Sequence, residues 1–367
     1  MSIRAVLIGF AHMHVNEIAM YIAEHPAYTL VGCADIPPEK PELTEARYTR
    51  AWNLKHVSET FSVPVFADYV QMLETVKPDI AFILTENFRK AEVAEQVAAH
   101  GVTVSIEKPM SVTLDEALKI RDAGKKYGVE VYVNWPVAWR PYMLELREFA
   151  RSGMIGDVIK MYYINGHTGP LGKGARHRGV DTMAEEMTDE QRASTWWYKN
   201  KTGGGVYLDI GCYGCMNSTL FQKEDPISVY AWGANLATPY SETADNLMAR
   251  IRYPHSYSLI EGTWTSPQAL FGCGPIVTGT EGVLYTTRYE EGWHVRAKDL
   301  TGADIALPEI AFPDSMKNIA HNYAHHLETG EPVDEMITLE QNIRVMSLLD
   351  ALQRSAWANA EVAVRNV

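Results

Sequence analysis

The first third of this chain alternates apolar, strand-like runs with helix-like runs, and no other feature constrains the fold as strongly. Residues 4–8 form a β-rich run that ends at Gly9, and residues 15–24 then carry helical periodicity. Further apolar runs cover 28–34, 63–66, 80–84 and 102–106. Helical patterns fall over 69–76, 90–100 and 114–127. Strands separated by single helices predict βαβ units and a parallel sheet. The near-continuous apolar character of the strands predicts burial on both faces.

The pattern changes near Val129. A strand over 129–133 leads into a Trp- and Pro-rich stretch (134–141), a helix over 142–152 and a strand over 158–164. Residues 165–192 are polar, Gly-rich and His-containing, with no regular pattern; a connection of that length in a compact chain points to a lid or a functional loop. Alternating runs at 228–234, 246–253, 256–265, 274–280, 283–287 and 291–297 predict a second, mixed sheet. Two helical patterns (314–328 and 339–360) close the chain. The expected architecture is an α/β Rossmann domain over 1–128, then an α+β domain with a large open, mostly antiparallel sheet over 129–367. The second domain would bind substrate and oligomerise, with its last helix packing back on the first.

At 367 residues the chain is long enough for two domains. Its 33 basic and 46 acidic residues leave a net charge of −13, which disfavours a nucleic-acid backbone or an anionic membrane surface as partner. No apolar stretch is long enough for a membrane span, and no cleavable leader pattern is evident. Four cysteines (Cys33, Cys212, Cys215, Cys273) are too few for a disulfide scaffold and suit a reducing cytoplasm. Cys212 and Cys215 have Cys-x-x-Cys spacing, but a single pair without added ligands reads as buried helix residues rather than a metal or redox site.

In a Rossmann unit the first strand-to-helix turn carries the pyrophosphate at a helix N-terminus. Here that turn is Gly9-Phe10-Ala11-His12-Met13-His14. Only the first glycine of a G-x-G-x-x-G pattern is present, with Ala11 and His14 in the other two places. Gly9, Phe10, Ala11, His12 and Met13 are the candidate cofactor contacts. Asp35 closes the second strand, where a carboxylate accepts ribose hydroxyls and repels a 2′-phosphate, so NAD is favoured over NADP. Thr85-Glu86-Asn87 follows the fourth strand at the carboxyl edge of the sheet, where ligands bind in open α/β folds. Two histidines in the turn, His12 and His14, could suggest a metal; the better reading is that one contacts cofactor or substrate and the other packs, and no metal is expected.

The fifth strand ends in Glu107-Lys108-Pro109. A lysine at that edge can stabilise the alkoxide that develops as a hydride leaves an alcohol. Further on, Gly203-Gly204-Gly205-Val206-Tyr207-Leu208-Asp209-Ile210-Gly211-Cys212-Tyr213 places Asp209 and Tyr213 four apart, on one face of any helix running through them.

With these residues the chain resembles the glucose-fructose oxidoreductase/inositol dehydrogenase/MocA (Gfo/Idh/MocA) family. The resemblance covers essentially the whole chain through Gly9, Asp35, Glu107-Lys108-Pro109, the stretch from Gly203 to Gly211, and Gly279-Thr280-Glu281-Gly282. It implies an NAD-dependent oxidoreductase in which Lys108, Asp209 and the residue at 213 are catalytic, with Glu107 and Lys108 also near the cofactor. Many members carry a catalytic histidine where this chain has Tyr213; some sugar and dihydrodiol oxidoreductases of the family resemble it in using tyrosine. A phenol with a pKa near 10 needs a cation to act as a base at neutral pH, and Lys108 is the expected one. Asp209 would orient Lys108 or the substrate.

Trp135, Trp196, Arg140, His167 and His177 are candidate substrate contacts, with Trp faces suited to the C–H side of a sugar ring. A ring hydroxyl of a sugar, glycoside or cyclitol is the expected substrate, with C3 oxidation of a glycoside as one case. The rival readings are an NAD-dependent glycosidase working through transient oxidation and a non-catalytic Rossmann-type sensor. An uncovered sheet in the second domain predicts a homodimer or homotetramer.

Overall fold

The computed structural model describes residues 2–266, 274–289 and 292–367. Cys273 and Glu291, the latter expected to open a strand, lie outside them. Six strands, β1 (Ile3–Ile8), β2 (Tyr28–Ala34), β3 (Val65–Phe66), β4 (Ile80–Ile83), β5 (Thr103–Glu107) and β6 (Val131–Asn134), form a parallel sheet in the order β3-β2-β1-β4-β5-β6. The order reverses between β1 and β4, which opens a crevice at the carboxyl ends of those strands. Helices α1 (Val15–Glu24), α2 (Arg50–Thr60), α3 (Tyr69–Val76), α4 (Lys90–Ala99) and α5 (Leu114–Tyr127) connect them. The ends of α5 follow from its sequence: Thr113 and Glu116 make a capping box, and Gly128 closes the helix at φ 66°. Strand β6, expected to open the second domain, pairs with β5 from Val104↔Val131 to Glu107↔Asn134. The first sheet therefore continues past residue 128.

The second unit contains α6 (Pro141–Arg151), β7 (Val158–Gly166), α7 (Asp189–Ser194), α8 (Cys212–Phe221), β8 (Ser228–Ala234), β9 (Asn246–Arg252), β10 (Tyr257–Thr263), β11 (Gly274–Gly279), β12 (Gly282–Tyr289), β13 (Gly292–Asp299), β14 (Asp304–Ile305), α9 (Ile319–Thr329), α10 (Leu339–Ala358) and β15 (Val362–Ala363). Its nine strands run β14-β13-β12-β11-β7-β10-β9-β8-β15, antiparallel except where β7 meets β10. One face is buried through Val229, Ala231, Leu247, Ile251 and Ile260, beneath α8 and α10. Alternation turns Tyr230, Trp232, Met248 and Tyr257 to the other face, where all four are exposed. Helix α10 also reaches the first domain: Asn342 Oδ1 accepts from Trp135 Nε1 at 2.7 Å, and Gln353 Nε2 donates to Val112 O at 2.8 Å. No described helix is long and apolar enough to cross a membrane.

Candidate active site

The turn after β1 is shaped by Gly9, which sits at φ 84°; a Cβ there would lie 2.5 Å from Thr85 Cγ2. No other residue type allows the turn to press against the end of β4. Four backbone N–H groups of the turn are already bonded: Gly9 to Ala34 O, Phe10 to Asp35 Oδ1, His12 to Leu84 O and His14 to His12 Nδ1, at 2.9 to 3.2 Å. Those of Ala11 and Met13 have no acceptor among the described residues. Asp35 takes Arg50 Nη1 on the same Oδ1 at 2.8 Å, which leaves Oδ2 without a described partner. Free amide donors beside a helix N-terminus and a carboxylate acceptor at the end of β2 are what a dinucleotide's pyrophosphate and ribose hydroxyls require, so these residues fit NAD.

Other expected cofactor contacts have structural partners instead. Glu86 is ion-paired with Arg50, and Thr85 is fully buried under Gly9. Asn87 spends its amide on Gly203 O and its carbonyl on Lys90 Nζ, both at 2.7 Å, so it ties the two domains together. The Phe10 ring lies in the core, and its carbonyl accepts from Asn53.

At the end of β5 the Lys108–Pro109 peptide is cis. The Lys108 ammonium is buried and donates to Asp209 Oδ1 and to Asp209 O, each at 3.2 Å. Residues Tyr207–Gly211 form a π-helical turn that runs into α8 and carries Asp209 beside Tyr213. The preceding glycines let this strand of chain pass its neighbours: a Cβ on Gly204 would lie 2.1 Å from Trp197 O. Asp209 Oδ2 accepts from Trp264 Nε1 at 2.9 Å and lies 3.1 Å from His167 Nε2. Burial opposes the Asp209 charge, but Lys108, His167 and Trp264 outweigh it and hold the carboxyl well below its usual range. Burial likewise opposes the Lys108 charge, but the surroundings, which include the Asp209 and Glu107 carboxylates, outweigh it, so Lys108 stays an ammonium.

Tyr213 corrects the sequence-based expectation in one respect. Burial pushes its hydroxyl above the ordinary value, and the opposing influence of Lys108 is smaller. The ammonium lies 4.3 Å from the ring centroid, over the aromatic face. Tyr213 is therefore a protonated phenol, and its hydroxyl has no partner among the described residues. Trp135 is also corrected: it is completely buried, with its edge against the Tyr213 ring at 5.3 Å, and supports that ring rather than meeting substrate. Trp196 is buried against the phosphate turn, donating to Ala11 O at 2.8 Å.

His14 was not anticipated as a site residue of defined role. Its Nδ1 lies 2.7 Å from Glu107 Oε1, and Asn134 Nδ2 holds Glu107 Oε2 at 2.6 Å. Burial would raise the Glu107 carboxyl, but His14, Lys108 and Asn134 bring it below its ordinary value. His12 accepts the His14 backbone N–H on Nδ1 at 3.2 Å, and burial, with His14 and the lysines, keeps its ring neutral. His12, His14 and Glu107 are close enough to converge on a cation, yet both histidine Nδ1 atoms are already bonded, and Lys108 and Lys90 stand nearby.

Two adjoining cavities open at this edge. One of about 650 Å³ is lined by His12, Met13, His14, Lys108, His167, His177, Asp209 and Tyr213. The other, of about 640 Å³, shares His14, Asn165, Arg176, His177 and Tyr213 and adds Arg140 and Trp293. His167, His177 and Arg140 thus line these cavities. Trp264 and Trp293 were missed, because a tryptophan at a strand end or edge looks in sequence like any other core aromatic.

Residues 3–135 match the family model described as "Oxidoreductase family, NAD-binding Rossmann fold", and residues 143–285 match the GFO/IDH/MocA C-terminal domain. The rhizopine catabolism protein MocA of Rhizobium meliloti is 23% identical over 142 residues, which is 39% of this chain and 37% of that protein; the aligned region thus spans well under two thirds of that relative. A D-xylose 1-dehydrogenase [NADP(+)] of Haloarcula marismortui is 22% identical over 256 residues, 68% of this chain and 65% of its own. The WlbA dehydrogenase of Bordetella pertussis, solved in complex with NADH and UDP-GlcNAcA, superposes with a TM-score of 0.75 at 18% identity, covering 100% of both chains.

Proposed function

This chain belongs to the Gfo/Idh/MocA oxidoreductase family, and from that premise we propose that it is an NAD-dependent dehydrogenase acting on a ring hydroxyl of a sugar, glycoside or cyclitol. The observation that carries this reading is the buried Lys108 ammonium, held by Asp209 at 3.2 Å and opening on a cavity of about 650 Å³. NAD, when bound, accepts a hydride at C4 of its nicotinamide. The Ala11 and Met13 amides would hold its pyrophosphate, and Asp35 Oδ2 a ribose hydroxyl; the Asp35 charge favours NAD over NADP.

Lys108 donates a hydrogen bond to the reacting oxygen and stabilises the charge that develops there. Asp209 fixes that ammonium, and is itself fixed by His167 and Trp264. Tyr213, as a protonated phenol, donates to the same oxygen. Arg140, Asn165, Arg176 and His177 offer polar contacts to further hydroxyls. The xylose-dehydrogenase and nucleotide-sugar names among the relatives support a carbohydrate. A glycoside oxidised at C3 is one such substrate, because the ketone acidifies the adjacent C–H and prepares an elimination.

The test is absorbance at 340 nm with NAD and a panel of aldoses, methyl glycosides and inositols. Steady NADH formation with at least one of them supports the reading; free sugar release without NADH would instead mark transient oxidation. The exposed face of Tyr230, Trp232, Met248 and Tyr257 supports a homo-oligomer in which a second copy covers it. The buried free thiols of Cys33, Cys212 and Cys215 suit the cytoplasm.

A further inference from the structure

Oxidising a hydroxyl releases a proton as well as a hydride, and neither Lys108 nor Tyr213 is suited to take it. Lys108 is already an ammonium and Tyr213 keeps its own proton. Four imidazoles face the cleft. His177 donates Nε2–H to Pro170 O at 3.1 Å, and burial, then His14, lower it to about 3, so it is a weak base. His12 is buried, with its Nδ1 occupied by the His14 N–H. His167 turns Nε2 to Asp209, and its Nδ1 is sealed from the cavity.

His14 differs from all three. Its Nδ1 meets Glu107 Oε1 at 2.7 Å, and Glu107 is clamped from the other side by Asn134 at 2.6 Å. Its Nε2 has no partner among the described residues, and the ring lines both cavities. An imidazole that gives Nδ1–H to a carboxylate presents a bare Nε2 lone pair, and the carboxylate stabilises the imidazolium that forms. The strand end supplies both halves of the chemistry, since Glu107 and Lys108 are consecutive.

We propose that His14, oriented by Glu107 and Asn134, is the general base of this enzyme, in place of a histidine at position 213. The inference rests on the dehydrogenase reading above. The O–H proton passes to His14 Nε2, the C–H hydrogen leaves with its electron pair to NAD, and the C–O bond becomes C=O. In the reverse direction the imidazolium returns the proton.

Two measurements test it on the full-length protein. The first is long-range ¹H–¹⁵N NMR of the histidine rings, assigned with His14→Gln. The expected result is an Nδ1–H tautomer for His14 in the wild type that is lost in Glu107→Gln; an Nε2–H tautomer overturns the proposal. Loss of the Nδ1–H signal on adding one equivalent of Zn²⁺ also overturns it, because the cluster is then a metal site. The second is turnover on the substrate found in the panel. His14→Ala should lower kcat about 10²- to 10⁴-fold, retain NAD binding by calorimetry, and regain activity with added imidazole. Wild-type rate in His14→Gln, with loss only in Tyr213→Phe, overturns the assignment while leaving the dehydrogenase reading intact. No NADH from the wild type on any panel member overturns the reading itself, whatever the tautomer.

Discussion

The Lys108 ammonium lies 4.3 Å from the centroid of the Tyr213 ring, while its hydrogen bonds go to Asp209. A cation over the face of a phenol holds the ring in place and leaves the hydroxyl pointing elsewhere. Burial then dominates the hydroxyl and keeps its proton on. The tyrosinate absorbance of wild type and Tyr213→Phe should therefore superimpose from pH 7 to 10. A tyrosinate in the wild type alone within that range would make Tyr213 the base.

Lys90 is completely buried and donates to Asn87 Oδ1, Glu107 O and Pro109 O at 2.7 to 2.8 Å. Burial pulls its ammonium down to about 7, yet all three partners are acceptors, and only the charged form has three N–H groups to give. Lys90→Met would leave three buried oxygens without donors, at about 1–3 kcal/mol each before relaxation. Urea unfolding should show a loss of about 3 kcal/mol or more. A loss under about 1 kcal/mol would mean that these oxygens find other donors.

His177 is held neutral, with burial and then His14 lowering it to about 3, whereas a histidine in the unfolded chain titrates near 6.5. Between those values the unfolded chain binds more protons. Stability is thus full above about pH 6.5 and falls as the pH drops toward 3, by at most about 1.4 kcal/mol per unit. His177→Gln should flatten this slope in thermal unfolding between pH 7 and 5. A residual slope of the same sign is expected from His12, which is also lowered by burial. An unchanged slope in His177→Gln would contradict the account.

On the second sheet Trp232 and Met248 face outward at 41% and 57% exposure, on adjacent strands paired in register. Light scattering should give a multiple of 41.1 kDa. Trp232→Glu combined with Met248→Glu should reduce it toward the single chain. A wild-type monomer would show that the face stays open.

Much of this was legible in the sequence because it depends on local pattern. The βαβ alternation is present as read, and β5 stops at Glu107, next to Lys108, since sheet-edge residues follow from where strands stop. Helix α2 was missed because it buries only Arg50, Asn53 and Val57, so it has no apolar stripe to detect. Trp135 and Trp196 were misjudged because composition cannot tell a buried aromatic from a binding face. The role of His14 depends on meeting Glu107 across the first sheet, and long-range pairing leaves no trace in either segment's own pattern. The same holds for Arg50, which reaches both Asp35 and Glu86.

The most direct measurement of the central claim follows the hydride. Wild-type protein would be incubated with NAD and carbon-deuterated D-xylose, D-glucose, methyl α-D-glucoside or myo-inositol, and the nicotinamide read by NMR and mass spectrometry. The account predicts one deuterium at C4 of the reduced nicotinamide and a ring ketone or lactone in the product, both absent with Lys108→Met. Reduced cofactor without deuterium, or undiminished label transfer in Lys108→Met, would contradict it.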